Sequence, residues 1–473
     1  MLRDELRDVL NDQPLIASVQ ADDGTPLDHP PTLVRLAQAS LDVGVRVLRL
    51  QGIENMLAVR EAFPDTPIAG LIKVGPAADR VYITPGIRQV QALIDVGCDI
   101  VCLDGTRRPR PDAPLDVLIR MIHGAGRLAM ADCDSVESAC YAAECGADIL
   151  STTLAGYTVE SANARPGPDI RLAAALAKRF PDQIVIAEGR YTERWQLQCA
   201  LLAGASGVVV GGALNDPIKQ TKSLMPHGKP KVRVGAVDMG GTWLRFGVFS
   251  AGWKMVHHER IRLPETHAER ISWIAKHVQE TGVTKLGIGA GGVIDPFNGF
   301  VSEAKGIIPD HVGHTLRDPQ LEACVVALND GLATAWGHAC LPDNAGLRVA
   351  SITLGTGVGC GFVANGRIWT DCTGNYPRIN DLRIAEGKTL EDRLGGAALS
   401  EGTSNDELAV AAAETAIEAV RGMYFPDRIV LSGGVGLSPT MKGLLGQDVW
   451  ASPFGEDAGL YGAAALALFP PDF

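Results

Sequence analysis

Eight short apolar runs, separated in most cases by amphipathic stretches, constrain the fold of the first 222 residues more than any other feature. Near-continuous apolar strands that alternate with helices are typical of parallel sheets, and eight such units favour a closed (β/α)8 (TIM) barrel. An open doubly wound sheet is the alternative, but it usually has fewer strands and a glycine-rich turn after the first. The runs are 15–20, 45–52, 67–74, 99–105, 127–133, 147–154, 183–190 and 206–214. The helical stretches include 86–97, 113–125, 135–145, 168–179 and 192–203.

These runs end in polar residues or glycines, which a parallel barrel gathers at one mouth, where barrel enzymes carry out catalysis. Burial beside apolar runs lowers the pKa of a lysine and raises that of a glutamate, so Lys73 and Glu188 are candidates for proton transfer. Lys73 could instead form a Schiff base. Glycines after the last two strands suit a phosphate. The polar strand ends are Gln20, Arg49, Lys73, Asp104, Asp132, Thr153 and Glu188, and the glycines are Gly189, Gly211 and Gly212.

The motifs of this half, in order, resemble N-acetylmannosamine-6-phosphate 2-epimerases; they include GLIKV, DIVCLDGT, STTLAGYT and VIAEGRY. The resemblance implies that Lys73 and Glu188 are catalytic and that no cofactor is needed. It also implies sugar binding by Gln20, Arg49 and Asp132, and phosphate binding by Gly189, Gly211 and Gly212. One departure is Asn215-Asp216, where the family usually has Thr-Arg, which removes a positive charge near the expected phosphate.

Composition limits the classes of partner. The 473 residues exceed one ordinary core, which predicts two domains. The net charge of −12 disfavours nucleic acid and anionic membranes. No apolar run approaches the roughly 20 residues of a membrane span. Ten cysteines without a C-x-x-C pair, and an acidic amphipathic start, predict a cytoplasmic protein with reduced thiols.

The alternation of apolar runs and helical stretches stops at a Pro- and Lys-rich stretch, and a different sequence pattern follows it. This change predicts domains at 1–222 and 232–473 with a linker at 223–231. Residues 232–250 read as a hairpin whose tip has glycines and a threonine that can approach a phosphate. Residues 350–366 predict a second such hairpin, and two more glycine pairs follow strands. Together these loops favour a two-lobed nucleotide kinase of the sugar kinase and actin type.

This half resembles the ROK family of sugar kinases through VDMGGTW, GAGGVID, LNDGLA, TLGTGVGCG and LSGGVG. The resemblance implies ATP with Mg²⁺ as cofactor and Asp330 as the base that takes a proton from the sugar hydroxyl. It implies sugar binding by Asn329 and Glu391. The implied nucleotide and phosphate site comprises Asp238, Gly240, Gly241, Thr242, Gly355, Thr356, Gly357, Gly433 and Gly434, with Asp238 also a magnesium ligand.

The family's zinc motif and its sugar-binding histidine are missing from this chain. No histidine follows His338 and no cysteine follows Cys372, so we expect no zinc site. We predict that at least one polar residue of the replacing segment contacts the sugar instead. The candidates are Asn375, Tyr376, Arg378, Asn380 and Asp381.

The two resemblances imply a fused enzyme that phosphorylates N-acetylmannosamine and then epimerises the product to N-acetylglucosamine 6-phosphate, as in sialic acid degradation. Its partners would be amino sugars and their phosphates, and its assembly a homodimer. The alternatives are fusion to a ROK kinase of another hexose or to a non-catalytic, sugar-sensing ROK domain. The animal-type bifunctional enzyme is disfavoured, since its first half is not a barrel.

Overall fold

A computed structural model describes residues 1–75, 80–161, 167–225, 233–304, 308–384, 387–396 and 405–473. The chain divides into two compact units, Met1–Met225 and Pro226–Phe473. Most of the predicted linker lies outside the described residues, and its first two residues end a helix, Pro217–Leu224. The domain limits at 222 and 232 therefore stay a prediction.

The first unit is a closed barrel of eight parallel strands, which confirms the predicted fold. Its strands are β1 (Leu15–Val19), β2 (Val47–Gln51), β3 (Ile68–Leu71), β4 (Ile100–Asp104), β5 (Leu128–Asp132), β6 (Ile149–Ser151), β7 (Ile184–Glu188) and β8 (Gly207–Val210). Its helices are α1 (Arg3–Asp12), α2 (Pro30–Asp42), α3 (Ile53–Ala62), α4 (Ile87–Asp95), α5 (Leu115–Gly124), α6 (Val136–Glu144), α7 (Ile170–Arg179), α8 (Arg194–Leu202), α9 (Gly212–Asn215) and α10 (Pro217–Leu224).

Side chains alternate between the barrel interior and the helix layer, as the two-residue period of a strand requires. Val47, Met130 and Ile186 belong to the interior cluster, which Leu6 and Leu10 of α1 join. The residue two positions after each inward-facing apolar residue also faces inward, one layer nearer the carboxyl end. That period places Arg49, Asp132 and Glu188 in the top layer and explains why strand ends supply the site.

The second unit contains two five-stranded sheets of the same topology, as expected of an actin-like sugar kinase. Their orders are β11-β10-β9-β12-β15 and β18-β17-β16-β19-β20, which is 3-2-1-4-5 in both when strands are counted within each sheet. The strands are β9 (Val234–Met239), β10 (Trp243–Phe249), β11 (Met255–Arg262), β12 (Lys285–Ala290), β13 (Val293–Ile294), β14 (Val301–Glu303), β15 (Cys324–Asn329), β16 (Val349–Leu354), β17 (Val358–Ala364), β18 (Arg367–Ile368), β19 (Arg428–Ser432) and β20 (Val449–Ala451).

Two helices of this unit approach closely at glycines. The helices are α11 (His267–Thr281), α12 (Asp330–Ala339), α13 (Glu391–Leu394), α14 (Asp406–Tyr424), α15 (Gly433–Gly436) and α16 (Ala458–Leu468). A Cβ on Gly337 of α12 would lie 2.8 Å from the Cα of Gly462 in α16, and a Cβ on Gly462 would lie 2.5 Å from the Ala333 carbonyl oxygen. Only glycine at both positions lets the backbones cross this closely. No helix within the described residues is long and apolar enough to cross a bilayer.

Candidate active sites

The carboxyl end of the barrel holds a cavity of about 800 Å³. Seven of the eight predicted epimerase site residues line it: Gln20, Arg49, Lys73, Glu188, Gly189, Gly211 and Gly212. Asp132 is not among the lining residues, because its side chain is fully buried behind Arg49. Asp104 is likewise buried and pairs with Arg108 at 2.5 Å.

One buried guanidinium links two carboxylates at the floor of this cavity. Arg49 Nη2 lies 2.7 Å from Asp132 Oδ2, and Arg49 Nη1 lies 2.9 Å from Glu188 Oε2. Thr153 donates to Asp132 Oδ1 at 2.7 Å and is 3.1 Å from Glu188 Oε2. Asp132 therefore orients Arg49 and Thr153 and cannot itself touch a ligand in this arrangement.

The pKa of Glu188 is raised to about 7, chiefly by burial, while Arg49 opposes the shift and Asp132 adds to it. A carboxyl group with this pKa exchanges protons readily near neutral pH. Because the single positive charge of Arg49 is shared between Asp132 and Glu188, it compensates the negative charge of Glu188 only in part.

Lys73 stands at the open mouth of the same cavity, just beyond β3. Its Nζ donates to Gln20 Oε1 at 3.0 Å, and Gln20 in turn donates to Ser18 Oγ at 2.9 Å. Desolvation by the surrounding walls and the charge of Arg49 lower the pKa of Lys73. Both shifts have the directions that the sequence predicts, and they bring an amine and a carboxyl group nearer to each other in proton affinity.

The cavity lining also combines glycines with two cationic side chains that the sequence reasoning missed. Gly189 has a φ of +109°, a left-handed conformation that favours glycine. Arg190 and Lys219 line the cavity beside it. Arg190 lies within the AEGRY motif but was not predicted to bind substrate. Lys219 was missed because the stretch 215–231 was interpreted as a linker or a terminal barrel helix and not as part of the site.

The Asn215-Asp216 departure has a structural role here. Asn215 donates to the Ser18 carbonyl oxygen at 3.2 Å and is buried. Asp216 caps α10 by accepting from the Lys219 backbone amide at 2.9 Å, and it pairs with Lys219 Nζ at 2.9 Å. The aspartate that stands in place of the family's arginine therefore fixes a lysine at the cavity wall.

The second unit has a cleft of about 660 Å³ between the two glycine-tipped hairpins. Both predicted hairpins are present, as β9–β10 and β16–β17. The predicted residues that line the cleft are Asp238, Gly240, Gly241, Thr242, Asp330, Gly355, Thr356, Gly357, Gly433 and Gly434. The hairpin tips face each other, since the hydroxyl oxygens of Thr242 and Thr356 are 3.5 Å apart.

Asp238 is held by Arg245, whose Nη1 lies 3.2 Å from Asp238 Oδ2. Burial raises the pKa of Asp238, and Arg245 opposes that shift. Asp330 lines the same cleft, and its pKa is raised to about 6 by burial and then by the charge of Asp238. The Asp238 carboxylate supplies the kind of oxygen ligand that Mg²⁺ prefers, so this residue fits a nucleotide-bound magnesium ion.

A smaller cavity of about 100 Å³ adjoins the cleft and shares Asp330 with it. Asn329 caps α12: its Oδ1 accepts from the backbone amide of Gly331 at 3.0 Å, and its Nδ2 donates to the Gly292 carbonyl oxygen at 3.1 Å. Glu391 accepts from the Val358 amide at 3.1 Å. Asp330 thus stands where the two cavities meet, with Asn329 and Glu391 in the wall of the smaller one.

The segment that replaces the family's zinc motif is ordered by hydrogen bonds. Asp371 accepts from the backbone amides of Thr373 at 2.8 Å and Asn375 at 3.1 Å, and from both of their side chains. Arg378 forms a two-pronged pair with Glu303, both bonds at 2.8 Å. Over the described part of the chain, no cluster of three or more His, Cys, Asp or Glu side chains is suited to a metal. Of the five predicted replacements, Tyr376 and Asn380 line the small cavity.

Comparison with known proteins identifies both units. Residues 33–226 match the family "Putative N-acetylmannosamine-6-phosphate epimerase", and residues 234–390 match the ROK family. A solved structure of N-acetylmannosamine-6-phosphate 2-epimerase from Clostridium perfringens is 35% identical, with a TM-score of 0.44, and covers 46% of this chain and 94% of that one.

Two curated relatives extend over nearly the whole chain, and both are named bifunctional enzyme NanE/NanK. The Brucella melitensis protein is 30% identical over 96% of this chain and 96% of its own length. The Brucella suis protein is 30% identical over 96% of this chain and 94% of its own. With two family domains in the same order and full-length similarity, the chain belongs to the bifunctional NanE/NanK enzyme family.

Proposed function

We propose that the first unit interconverts N-acetylmannosamine 6-phosphate and N-acetylglucosamine 6-phosphate. The observation that carries this proposal is the placement of Lys73 and Glu188 in one cavity, with pKa values shifted towards each other. Inversion at carbon 2 requires removal of the hydrogen beside the aldehyde of the opened sugar, and then its return. A lysine of lowered pKa and a carboxyl group titrating near 7 suit proton transfers of this kind.

In this proposal the neutral amine of Lys73 takes the proton from carbon 2. The electron pair of the broken C–H bond moves to the carbonyl oxygen and forms an enolate. Rotation about the bond between carbons 2 and 3 turns the other face of carbon 2 towards Lys73, whose ammonium group then returns a proton to that face as the electron pair moves back. Glu188 serves the sugar oxygens, during ring opening and as the enolate forms. Arg49 adds a fixed positive charge beside the developing negative charge.

The phosphate group occupies the wall formed by Gly189, Gly211 and Gly212. Glycines permit close approach of backbone amides to phosphate oxygens. Arg190 and Lys219, which line the same cavity, supply the cationic side chains. These two cations would compensate the negative charge of the phosphate, although position 216 is an aspartate and not the family's arginine.

We further propose that the second unit phosphorylates N-acetylmannosamine with ATP. Support comes from Asp330, which lies where the nucleotide-sized cleft meets the small cavity. Its carboxylate accepts the proton of the sugar's 6-hydroxyl while that oxygen attacks the terminal phosphorus of ATP and the bond to ADP breaks. Asp238 would hold a magnesium ion, whose positive charge would offset that of the phosphates.

The product of the kinase is the substrate of the epimerase, which gives the fusion a chemical rationale. Both reactions use cytoplasmic metabolites, and we assign the enzyme to the cytoplasm. We expect a homodimer, which light scattering will measure.

The decisive experiment incubates the full chain with N-acetylmannosamine, ATP and Mg²⁺ and follows both phosphorylated sugars by NMR. N-acetylmannosamine 6-phosphate should appear first and N-acetylglucosamine 6-phosphate second. Asp330→Asn should stop the first step and leave epimerisation of supplied sugar phosphate intact, whereas the exposed Asp343→Asn should change neither. No phosphorylation of N-acetylmannosamine, with turnover of another hexose, would establish the alternative kinase.

If borohydride traps a covalent adduct between the sugar phosphate and Lys73, then Lys73 forms a Schiff base and the proton-transfer mechanism is wrong. Proton exchange offers the converse test. In deuterated water the product of epimerisation should carry deuterium at carbon 2, because the carbon-bound proton passes through an exchangeable group.

A further inference from the structure

The polar side chains around the small cavity differ in whether they can donate a hydrogen bond to a ligand or only accept one. Asp330 and Glu391 are carboxylates, which accept hydrogen bonds when ionised. Asn329 also lines the cavity, but its side-chain oxygen and one of its two amide N–H groups already bond to the backbone, which leaves a single N–H. Tyr376 and Asn380 are the remaining polar side chains in the described lining, and both can donate.

Asn380 is buried, with 7% of its surface exposed, and it lies in a single 3-10 turn, Ile379–Asp381. Its side-chain amide makes no hydrogen bond to any other residue among those that the structure describes. The side chain lines the cavity, so its unpartnered amide is open to a ligand that enters there.

The position of Asn380 is fixed by contacts of the residues that precede it. Upstream, Gly374 packs so closely that a Cβ there would lie 1.8 Å from the Ile294 carbonyl oxygen. Arg378 is tied to Glu303, and the side chain of Ile379 is buried. The segment therefore holds the amide in place before any sugar arrives, which reduces the entropy lost on binding.

We propose that Asn380 determines the sugar specificity of the kinase by donating a hydrogen bond to the carbonyl oxygen of the substrate's 2-acetamido group. Sugar hydroxyls can donate to Asp330 and Glu391, but an acyl carbonyl only accepts and needs a donor. This inference rests on the proposed phosphorylation of N-acetylmannosamine and names the residue that selects it over mannose, which has a hydroxyl at carbon 2.

The test compares Asn380→Leu, which keeps the branched shape and the number of heavy atoms without a donor, with Tyr376→Phe, which removes only the hydroxyl. For Asn380→Leu we expect kcat/KM for N-acetylmannosamine to fall about 10- to 100-fold, mainly through KM. Mannose should change little, measured by its phosphorylation or by its inhibition constant against N-acetylmannosamine. Asn380→Gln, which keeps an amide, should recover part of the loss.

Thermal unfolding separates a specificity role from a structural one. Because the amide has no partner among the described residues, Asn380→Leu should not lower the Tm, and its epimerase activity should equal the parent's. A lowered Tm, an equal loss for both sugars, or a collapse of selectivity in Tyr376→Phe alone would overturn the proposal. If the parent phosphorylates mannose but not N-acetylmannosamine, the proposed kinase function fails and this inference with it; if only the variants behave unexpectedly, the kinase function stands.

Discussion

Arg49 and Glu188 form an ion pair inside the barrel, with 2.9 Å between Nη1 and Oε2, and Arg49 has only 1% of its side chain exposed. The same guanidinium binds Asp132 at 2.7 Å. One positive charge thus serves two carboxylates, and the second remains partly uncompensated. Burial chiefly, together with this partial compensation, raises the pKa of Glu188 to about 7 and keeps its carboxyl group available for proton exchange near neutral pH.

Lys73→Met and Glu188→Gln should each lower epimerase turnover by about 100-fold or more, because each removes one positioned proton-transfer group. Phosphorylation of N-acetylmannosamine should be unaffected. Lys178→Met, which removes an exposed lysine of α7, is the matched control and should leave both activities unchanged. Near-normal epimerisation by Lys73→Met would show that the site is misassigned.

Arg49→Met should destabilise the barrel by about 3–5 kcal/mol, because two buried carboxylates would lose their shared partner. Calorimetry of the full chain should show a lower transition for one unit only. The control is Arg46→Met, since Arg46 pairs with Asp12 at 3.3 Å on the surface, where both side chains are mostly exposed. We expect that variant to change stability by less than about 1 kcal/mol; an equal effect of the two substitutions would contradict a special role for the buried pair.

Much of the barrel site could be predicted because strands have a two-residue period. Once Val47 or Ile186 is recognised as an inward-facing strand residue, Arg49 or Glu188 must face the same cavity two positions later. The glycine-tipped hairpins could be predicted equally well, because two adjacent apolar runs joined by glycines are typical of a β-hairpin.

The rest depends on contacts between residues far apart in sequence. Periodicity placed Asp132 at the mouth of the barrel, but only the structure shows Arg49 lying between it and the cavity. The position of Lys219 depends on Asp216, which caps a helix in the stretch 215–231; the Pro- and Lys-rich composition of that stretch left open whether it is a linker or a terminal barrel helix. Which residue of 375–381 enters the kinase cavity depends on the turn at Asp371, which no local pattern specifies.

Phosphorylation should weaken at acidic pH with an apparent pKa of about 6, well above the ordinary value for an aspartate. Burial and the charge of Asp238 raise the pKa of Asp330, so below about pH 6 the base becomes protonated and cannot accept the hydroxyl proton. The pH profile of kcat/KM for N-acetylmannosamine measures this limb, with Asp343→Asn as a control that should reproduce it. A rate that stays flat down to pH 4.5 would exclude Asp330 as the base.

Kinase activity should depend on Mg²⁺ and not on zinc. The described residues offer no cluster of metal-binding side chains in the segment that relatives order with zinc. A zinc-selective chelator followed by dialysis should leave phosphorylation intact when Mg²⁺ is supplied. Stoichiometric zinc by metal analysis, or activity restored by zinc alone, would contradict this expectation.

Asp371→Ala should raise the KM for the kinase's sugar about 10- to 100-fold, because small displacements of positioning groups have large effects. Asp371 accepts four hydrogen bonds from Thr373 and Asn375, and these bonds keep the pKa of Asp371 well below its usual range. Without that turn, Tyr376 and Asn380 lose the support that aims them at the cavity. The KM for ATP and the epimerase activity should stay near those of the parent, and Asp343→Ala serves as the control. An unchanged sugar KM would mean that the remaining anchors, the Arg378–Glu303 pair and the packing of Gly374 against Ile294, suffice to hold the segment.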